Sequence, residues 1–238
     1  MTRISAILFD KDGTLFDYHK TWALWSRDFL AALAENDPAL TQRLADVVDF
    51  DIEMLAFRPD SILVSATPHD IARTLLPQLP GASMAGIVTR MSAMSADLEQ
   101  AEATPLLPLM QGLLSRGLRL GVATNDCEAP ARSHLGSVGI QDMFDHILGC
   151  DSGYSPKPSP EMLLAFCDRT DLQPAEVVMV GDSWHDMSAA RDAGMVSIAV
   201  LTGIARRAQL SPLADVVLPS IAALPQWLDG VCATESAA

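Results

Sequence analysis

The chain has 238 residues, 49% of them hydrophobic, and sets 16 lysines and arginines against 30 aspartates and glutamates, a formal net charge of −14. That length suits one large domain or a domain carrying an insert, and the apolar fraction supplies a sizeable core, which excludes a disordered chain. The acidic excess argues against a general binder of nucleic acid or anionic lipid, and an anionic substrate would need local cations or a metal ion to overcome the repulsion.

In chain order, the first element is the apolar run 4–9 (ISAILF), which reads as a buried strand and ends abruptly in Asp10, Lys11, Asp12, Gly13 and Thr14. It begins within a few residues of Met1, so no signal peptide is expected. No uninterrupted apolar run is long enough to span a bilayer, so no membrane partner is expected. Residues from about 16 to 103 are different in kind, with long helical patterns and almost no strand candidates. There Thr67-Pro68-His69-Asp70 reads as a helix start and Pro80-Gly81 as a break.

After this segment, strand and helix alternate. Residues 107–116 (LPLMQGLLSR) read as a helix stopped by Gly117, and 118–123 (LRLGVA) and 146–149 (HILG) as strands. Ser159 and Pro160 read as the N-cap and first residue of a further helix. The strand 177–180 (VVMV), the helix 184–193 stopped by Gly194, and the strands 196–200 and 216–218 complete the series. Residues 233–238 read as a frayed tail. The pattern predicts an α/β fold, a Rossmann-like doubly wound parallel sheet, with a helical insert placed just after its first strand. Its α/β part is expected over 1–16 and 104–238, and its helical part over 17–103. Four cysteines (Cys127, Cys150, Cys167 and Cys232) form no CxxC pair and match no zinc spacing, so free thiols in a reducing compartment, the cytoplasm, are expected.

In such a sheet chemistry gathers beyond the carboxyl ends of the strands. That edge receives Asp10 and Asp12 from the first strand, Thr124 and Asn125 from the second, Lys157 from the loop after 146–149, and Asp182 and Asp186 from 181–186 (GDSWHD). Crowded carboxylates repel one another unless a cation joins them, and hard oxygen ligands of this kind suit Mg²⁺ together with a substrate phosphate. Lys157 and the metal would neutralise a phosphoryl group whose oxygens Thr124 and Asn125 could hold. Of two acids one residue apart on a tight turn, one can attack phosphorus and the other can protonate the leaving alcohol and then deprotonate water.

DKDGT at 10–14, the strand ending in Thr124-Asn125, Lys157 in a KPSP context and GDSWHD, in this order, together resemble the haloacid dehalogenase (HAD) superfamily. Helical sequence between the first and second motifs is similar to its helical-cap, phosphoglycolate phosphatase-like subgroup. The resemblance covers the chain to about residue 218. It implies a core sheet of strand order 5-4-1-2-3 under a substrate-selecting cap, and a Mg²⁺-dependent phosphatase acting on a small phosphate monoester. It implies Asp10 as nucleophile and metal ligand, and Asp12 as general acid–base and ligand through its backbone carbonyl. Thr124 and Asn125 would bind phosphoryl oxygens, Lys157 would stabilise the charge of nucleophile and phosphate, and Asp182 would ligate the metal. Asp186 would hold a water of the metal or orient Lys157. Lys11 departs from the subgroup, where an apolar residue is commoner. It is expected to point away from the site.

Other readings remain beside this one. A phosphomutase would keep Asp12 but shield its phosphoenzyme from water, and a phospho-acceptor signalling domain would use a similar set of side chains in about half the length. Asp186 also has a plain reading, as a helix N-terminal acid. Trp22, Trp25 and Phe29 read as core at helical spacing, His185 as a solvent-facing helical residue, and His19 and Arg58 as ordinary surface groups.

Overall fold

The fold is known from a computed structural model, which describes residues 3–58, 61–96 and 98–235. Strand β1 (Ala6–Phe9) leads into a helical segment made of α1 (Tyr18–Leu33), α2 (Pro38–Val47), a two-residue hairpin of β2 (Phe50–Asp51) and β3 (Ala56–Phe57), α3 (Pro68–Leu75) and α4 (Met84–Ser95). The chain then alternates: α5 (Leu106–Ser115), β4 (Arg119–Ala123), α6 (Glu128–Ser137), β5 (His146–Leu148), α7 (Glu161–Thr170), β6 (Val177–Gly181), α8 (Trp184–Ala193), β7 (Val196–Val200), α9 (Arg207–Leu210), β8 (Val216–Leu218) and α10 (Leu224–Glu235).

Six strands form one parallel sheet in the order β5-β4-β1-β6-β7-β8. Numbered within the sheet alone, this is 5-4-1-2-3 read from the far edge, with a sixth strand outside the fifth. Strand β1 is central, flanked by β4 and β6 in register, Phe9 opposite both Val122 and Val180. Its residues are all buried because both faces are covered. Ile7 and Phe9 join one core layer with Leu113 and Leu135, and Ala6 and Leu8 join another with Phe166 and Met179.

The helical segment has its own core, built on Trp22, Trp25, Phe29, Phe50 and Phe57. The outgoing and returning chains run side by side. Asp17 N donates to Ala101 O at 2.7 Å, and Ala103 N to Leu15 O at 2.9 Å. The short hairpin of β2 and β3 is the one named strand pair among the described residues of a region whose sequence pattern is helical, and such short strands carry too little alternation to be read.

The helix starts follow local chemistry. Thr67 accepts from Asp70 N and Pro68 opens α3 as its sequence predicts. Helix α7 begins one residue later than Ser159-Pro160 implies. Pro160 is its N-cap, and Ser159 Oγ accepts from Glu161 N at 3.3 Å. The left-handed glycines Gly117 and Gly194 follow α5 and α8. Helix α10 runs to Glu235, into the segment expected to fray, and 236–238 lie outside the described residues.

Gly121 in β4 lets Phe166 lie against the sheet, for a Cβ there would sit 2.4 Å from the ring and 2.9 Å from Leu8. Gly121→Ala is therefore expected to overpack this layer and destabilise the fold by about 1–3 kcal/mol. Denaturant unfolding reads the loss, and an unchanged midpoint would contradict this seating of Phe166.

Candidate active site

Asp10 follows β1 and extends its pairing, its N–H donating to Val180 O at 2.8 Å. The chain then closes a tight turn in which Lys11 O accepts from Leu15 N and Phe16 N, and Gly13 N donates to Phe16 O. Gly13 has φ +82°, and a Cβ on it would lie 2.4 Å from the Asp182 carboxyl. Glycine is required here for both reasons. Gly203 is held to the same standard, since its Cβ would fall 1.7 Å from Asp182 Oδ2. Thr14 Oγ1 donates to Asp182 Oδ1 at 3.4 Å, and Thr202 Oγ1 to Gly13 O at 2.6 Å. The turn after β1 and the turn after β6 thus form one packed unit.

Lys157 crosses to this unit from the loop after β5. Its Nζ is buried, 2.8 Å from Asp10 Oδ1 and 2.6 Å from Asp186 Oδ1. Its backbone is clasped by Asn125, whose Oδ1 accepts from Lys157 N at 2.9 Å while Nδ2 donates to Lys157 O at 2.8 Å. The second Nδ2 hydrogen goes to Ser65 O, on the helical segment, at 2.9 Å. Asn125 therefore lines the cavity with its amide already committed, as a strut for Lys157. Thr124 accepts from Asp126 N at 3.1 Å, which leaves its hydroxyl proton for a ligand in the cavity.

Asp186 contacts both the start of α8 and Lys157. Its Oδ2 accepts from Ser183 N and Oγ as a capping box of α8, and its Oδ1 holds Lys157. Carboxylate oxygens of Asp10, Asp182 and Asp186 all lie within 4.8 Å of one another, and all three residues are buried. Asp12 faces the same cavity from outside this trio. Its Oδ2 is 2.6 Å from Lys11 Nζ, and its Oδ1 accepts from Trp22 Nε1 at 2.8 Å.

The electrostatics follow from burial of like charges. Burial raises the Asp10 carboxyl to about 7 against the pull of Lys157, and the charge of Asp186 adds to the rise. Burial, then the charges of Asp10 and Asp186, push Asp182 well above the usual carboxylate range. Burial works to lower Lys157, but the attraction of Asp10 and Asp186 outweighs it and raises the ammonium. So many carboxylate oxygens facing one ammonium, with glycines at 13 and 203 giving the Asp182 carboxyl its place among them, form a donor set that fits a divalent cation.

All seven residues singled out in the sequence meet at this edge of the sheet. Four side chains carried no such expectation: Lys11, Trp22, Trp25 and His185. Lys11 does not turn out of the site but is fully buried beside Asp12. Trp22 and Trp25 are core, as their spacing implies, and also wall the cavity. His185 is half-buried and lines the cavity rather than facing solvent, while His19 is exposed and Arg58 lies near Asp49 at the surface.

A family model of haloacid dehalogenase-like hydrolases matches residues 4–194. The chain is 31% identical to the probable phosphatase IndB of Dickeya dadantii, over 86% of this chain and 84% of that protein. It is 36% identical to a phosphoglycolate phosphatase of Rhodospirillum rubrum, a match that spans about half of either chain, 51% of each. A protein described as a predicted phosphoglycolate phosphatase from Haemophilus somnus 129pt shares the fold with a TM-score of 0.74 at 19% identity, covering 95% of this chain and 98% of that one. The same fold is found in a β-phosphoglucomutase of Clostridium difficile, with a TM-score of 0.66 at 17% identity and coverage of 97% and 99%. By the family model and by its similarity to a relative over most of both chains, the chain belongs to the haloacid dehalogenase-like hydrolases.

Proposed function

We propose that this hydrolase is a Mg²⁺-dependent phosphatase that cleaves a small phosphate monoester through an aspartyl phosphate on Asp10. The observation that carries the reading is the state of Asp10. One of its oxygens is held by a buried ammonium, Asp182 stands beside it, and a second acid, Asp12, opens on the same cavity. The names of the relatives, phosphoglycolate phosphatase and probable phosphatase, support a phosphoric monoester as substrate.

In this reading Lys157 fixes Asp10 Oδ1 and leaves Oδ2 to attack phosphorus. The bond from phosphorus to the ester oxygen breaks, and Asp12 donates a proton to the departing alcohol. Asp12, now ionised, takes a proton from a water whose oxygen attacks the acyl phosphate, which frees phosphate and restores both acids. Thr124 donates to a phosphoryl oxygen, and Asn125 keeps Lys157 in place. Asp10, Asp182 and the Asp12 carbonyl would hold Mg²⁺, with Asp186 behind them, and the ion supplies positive charge against the developing charge on the phosphoryl group. Residues 17–103 act as the cap, and their contribution to the cavity is aromatic and apolar, from Trp22, Trp25, Leu63 and Ile71, with hydroxyls from Ser26 and Ser95. Free thiols at Cys127, Cys150 and Cys167 suit the reducing cytoplasm in which we place the enzyme. No helix of the described residues is long and apolar enough to cross a membrane.

Asp10→Asn is expected to abolish phosphate release from a panel of metabolite phosphates, and excess EDTA to do so reversibly. Full turnover in EDTA would reject the metal requirement, and full turnover by Asp10→Asn would reject the nucleophile.

The raised carboxyls give a pH signature independent of turnover. Protons and Mg²⁺ compete for the same oxygens, so with Asp10 near 7 the affinity for Mg²⁺ is expected to be about tenfold weaker at pH 6 than at pH 8. Without metal the sign is opposite. The folded protein binds this proton more tightly than the unfolded chain, so stability falls as pH rises from about 4 to 7. The rise in Tm on adding Mg²⁺ should accordingly be larger at the higher pH, and a shift of equal size at both would count against this assignment.

A further inference from the structure

Lys11 is fully buried, and an ammonium leaves water only where charge and hydrogen bonds receive it. Its Nζ lies 2.6 Å from Asp12 Oδ2, 3.3 Å from Asp126 Oδ2 and 3.1 Å from His134 Nδ1. It also stands 5.5 Å from the centre of the Trp22 ring, whose Nε1 donates to the other oxygen of Asp12. Both oxygens of Asp12 are therefore held, one by the chain's own neighbouring residue and one from α1.

The network does not stop there. His134 accepts from Lys11 at Nδ1, so its proton sits on Nε2, which lies 2.6 Å from Ser95 O at the end of α4. Burial and the nearby Lys11 charge lower the His134 pKa and keep the ring neutral, as this pattern of bonds requires. Next to it Ser133 Oγ donates to Ala96 O at 2.9 Å. A continuous path of hydrogen bonds thus runs from the helical segment (Ser95 O), through His134 on α6, to Lys11 and Asp12.

We propose that Lys11 is a positioning residue for the acid–base step, and that His134 makes its hold on Asp12 depend on α4 being seated against α6. The inference rests on the reading of Asp12 as acid–base. Lys11 touches no reacting atom in this scheme. It fixes the direction of a carboxylate that must face first the leaving oxygen and then a water. The step most exposed to its loss is the second, because hydrolysis of the acyl phosphate needs a base aimed at water, whereas a good leaving group departs with little help from an acid.

The test uses p-nitrophenyl phosphate with Mg²⁺ and rapid mixing. Lys11→Met fills the same space without charge. It is expected to lower steady-state kcat about tenfold to hundredfold with KM within about threefold, and to show a burst of nitrophenolate close to one per enzyme as the phosphoenzyme accumulates. Lys11→Arg, which keeps charge and donors, should recover much of the rate. His134→Leu should lower kcat in the same direction by a smaller factor. His134→Gln, which keeps an acceptor for Lys11 and a donor for Ser95 O, should hold it. The His134 pair decides the matter if Lys11→Met fails to fold. An unchanged kcat in Lys11→Met, a rate lost equally in burst and steady state, or equal rates for His134→Leu and His134→Gln would each overturn the proposal. Wild-type protein that releases no phosphate, or Asp12→Asn that keeps full turnover, would instead remove the function on which it rests.

Discussion

The arrangement of this molecule is governed by the burial of several carboxylates around the end of one strand. Asp10, Asp182 and Asp186 are buried together, and Asp12 and Asp126 stand within reach of the same cavity. Two unit charges about 4 Å apart interact by roughly 4 kcal/mol in a medium of intermediate polarity, so such a cluster holds only where cations are placed to match it. The chain has three lysines, and two of them, Lys11 and Lys157, are buried here. Each bridges two acids, Lys157 between Asp10 and Asp186, Lys11 between Asp12 and Asp126. The negative charge left over is what the proposed divalent cation would balance, and burial among it raises the Asp10 carboxyl to about 7.

That constraint explains why the supporting structure is rigid and small. Glycines at 13, 181 and 203 are not spacers, since a Cβ at any of them would strike Asp182 or Asp186. Asn125, Thr14, Thr202 and Ser183 then fix turns and carboxylates by bonds that leave few polar atoms free to move. A charged group is aimed well only if what holds it is itself held, and here each strut is tied to a strand end of a sheet that is buried on both faces.

The helical segment bears on the same charges from the other side. Trp22 joins its hydrophobic core and also donates to Asp12, while Ser65 and Ser95 meet Asn125 and His134 through their backbone carbonyls. Its wall of the cavity is mainly aromatic and aliphatic, a lining of low polarity that strengthens the charge interactions among the carboxylates. Its seating and the aim of the core acids are thus physically linked through a few hydrogen bonds rather than through bulk contact alone.

The sheet, its six strands and the edge at which the acids gather can be read from the residue pattern alone. An apolar run covered on both faces needs no partner to be recognised, and the residue that follows it must lie at the strand's end. Asp10, Asp12, Thr124 and Asp182 are legible for that reason, Lys157 only through its KPSP context in the loop after the strand, and the caps at Thr67 and Gly194 through neighbours within a turn. The two-residue hairpin at Phe50–Phe57 was beyond reach because two residues carry no period. What Lys11, His134, Trp22 and Asn125 touch depends on the folded arrangement. Their partners lie 123 residues apart for Lys11 and His134, 39 for His134 and Ser95, and 32 for Asn125 and Lys157. Side-chain direction in a packed interior is set by whichever charge or carbonyl the fold brings near, and no local pattern of residue types records it.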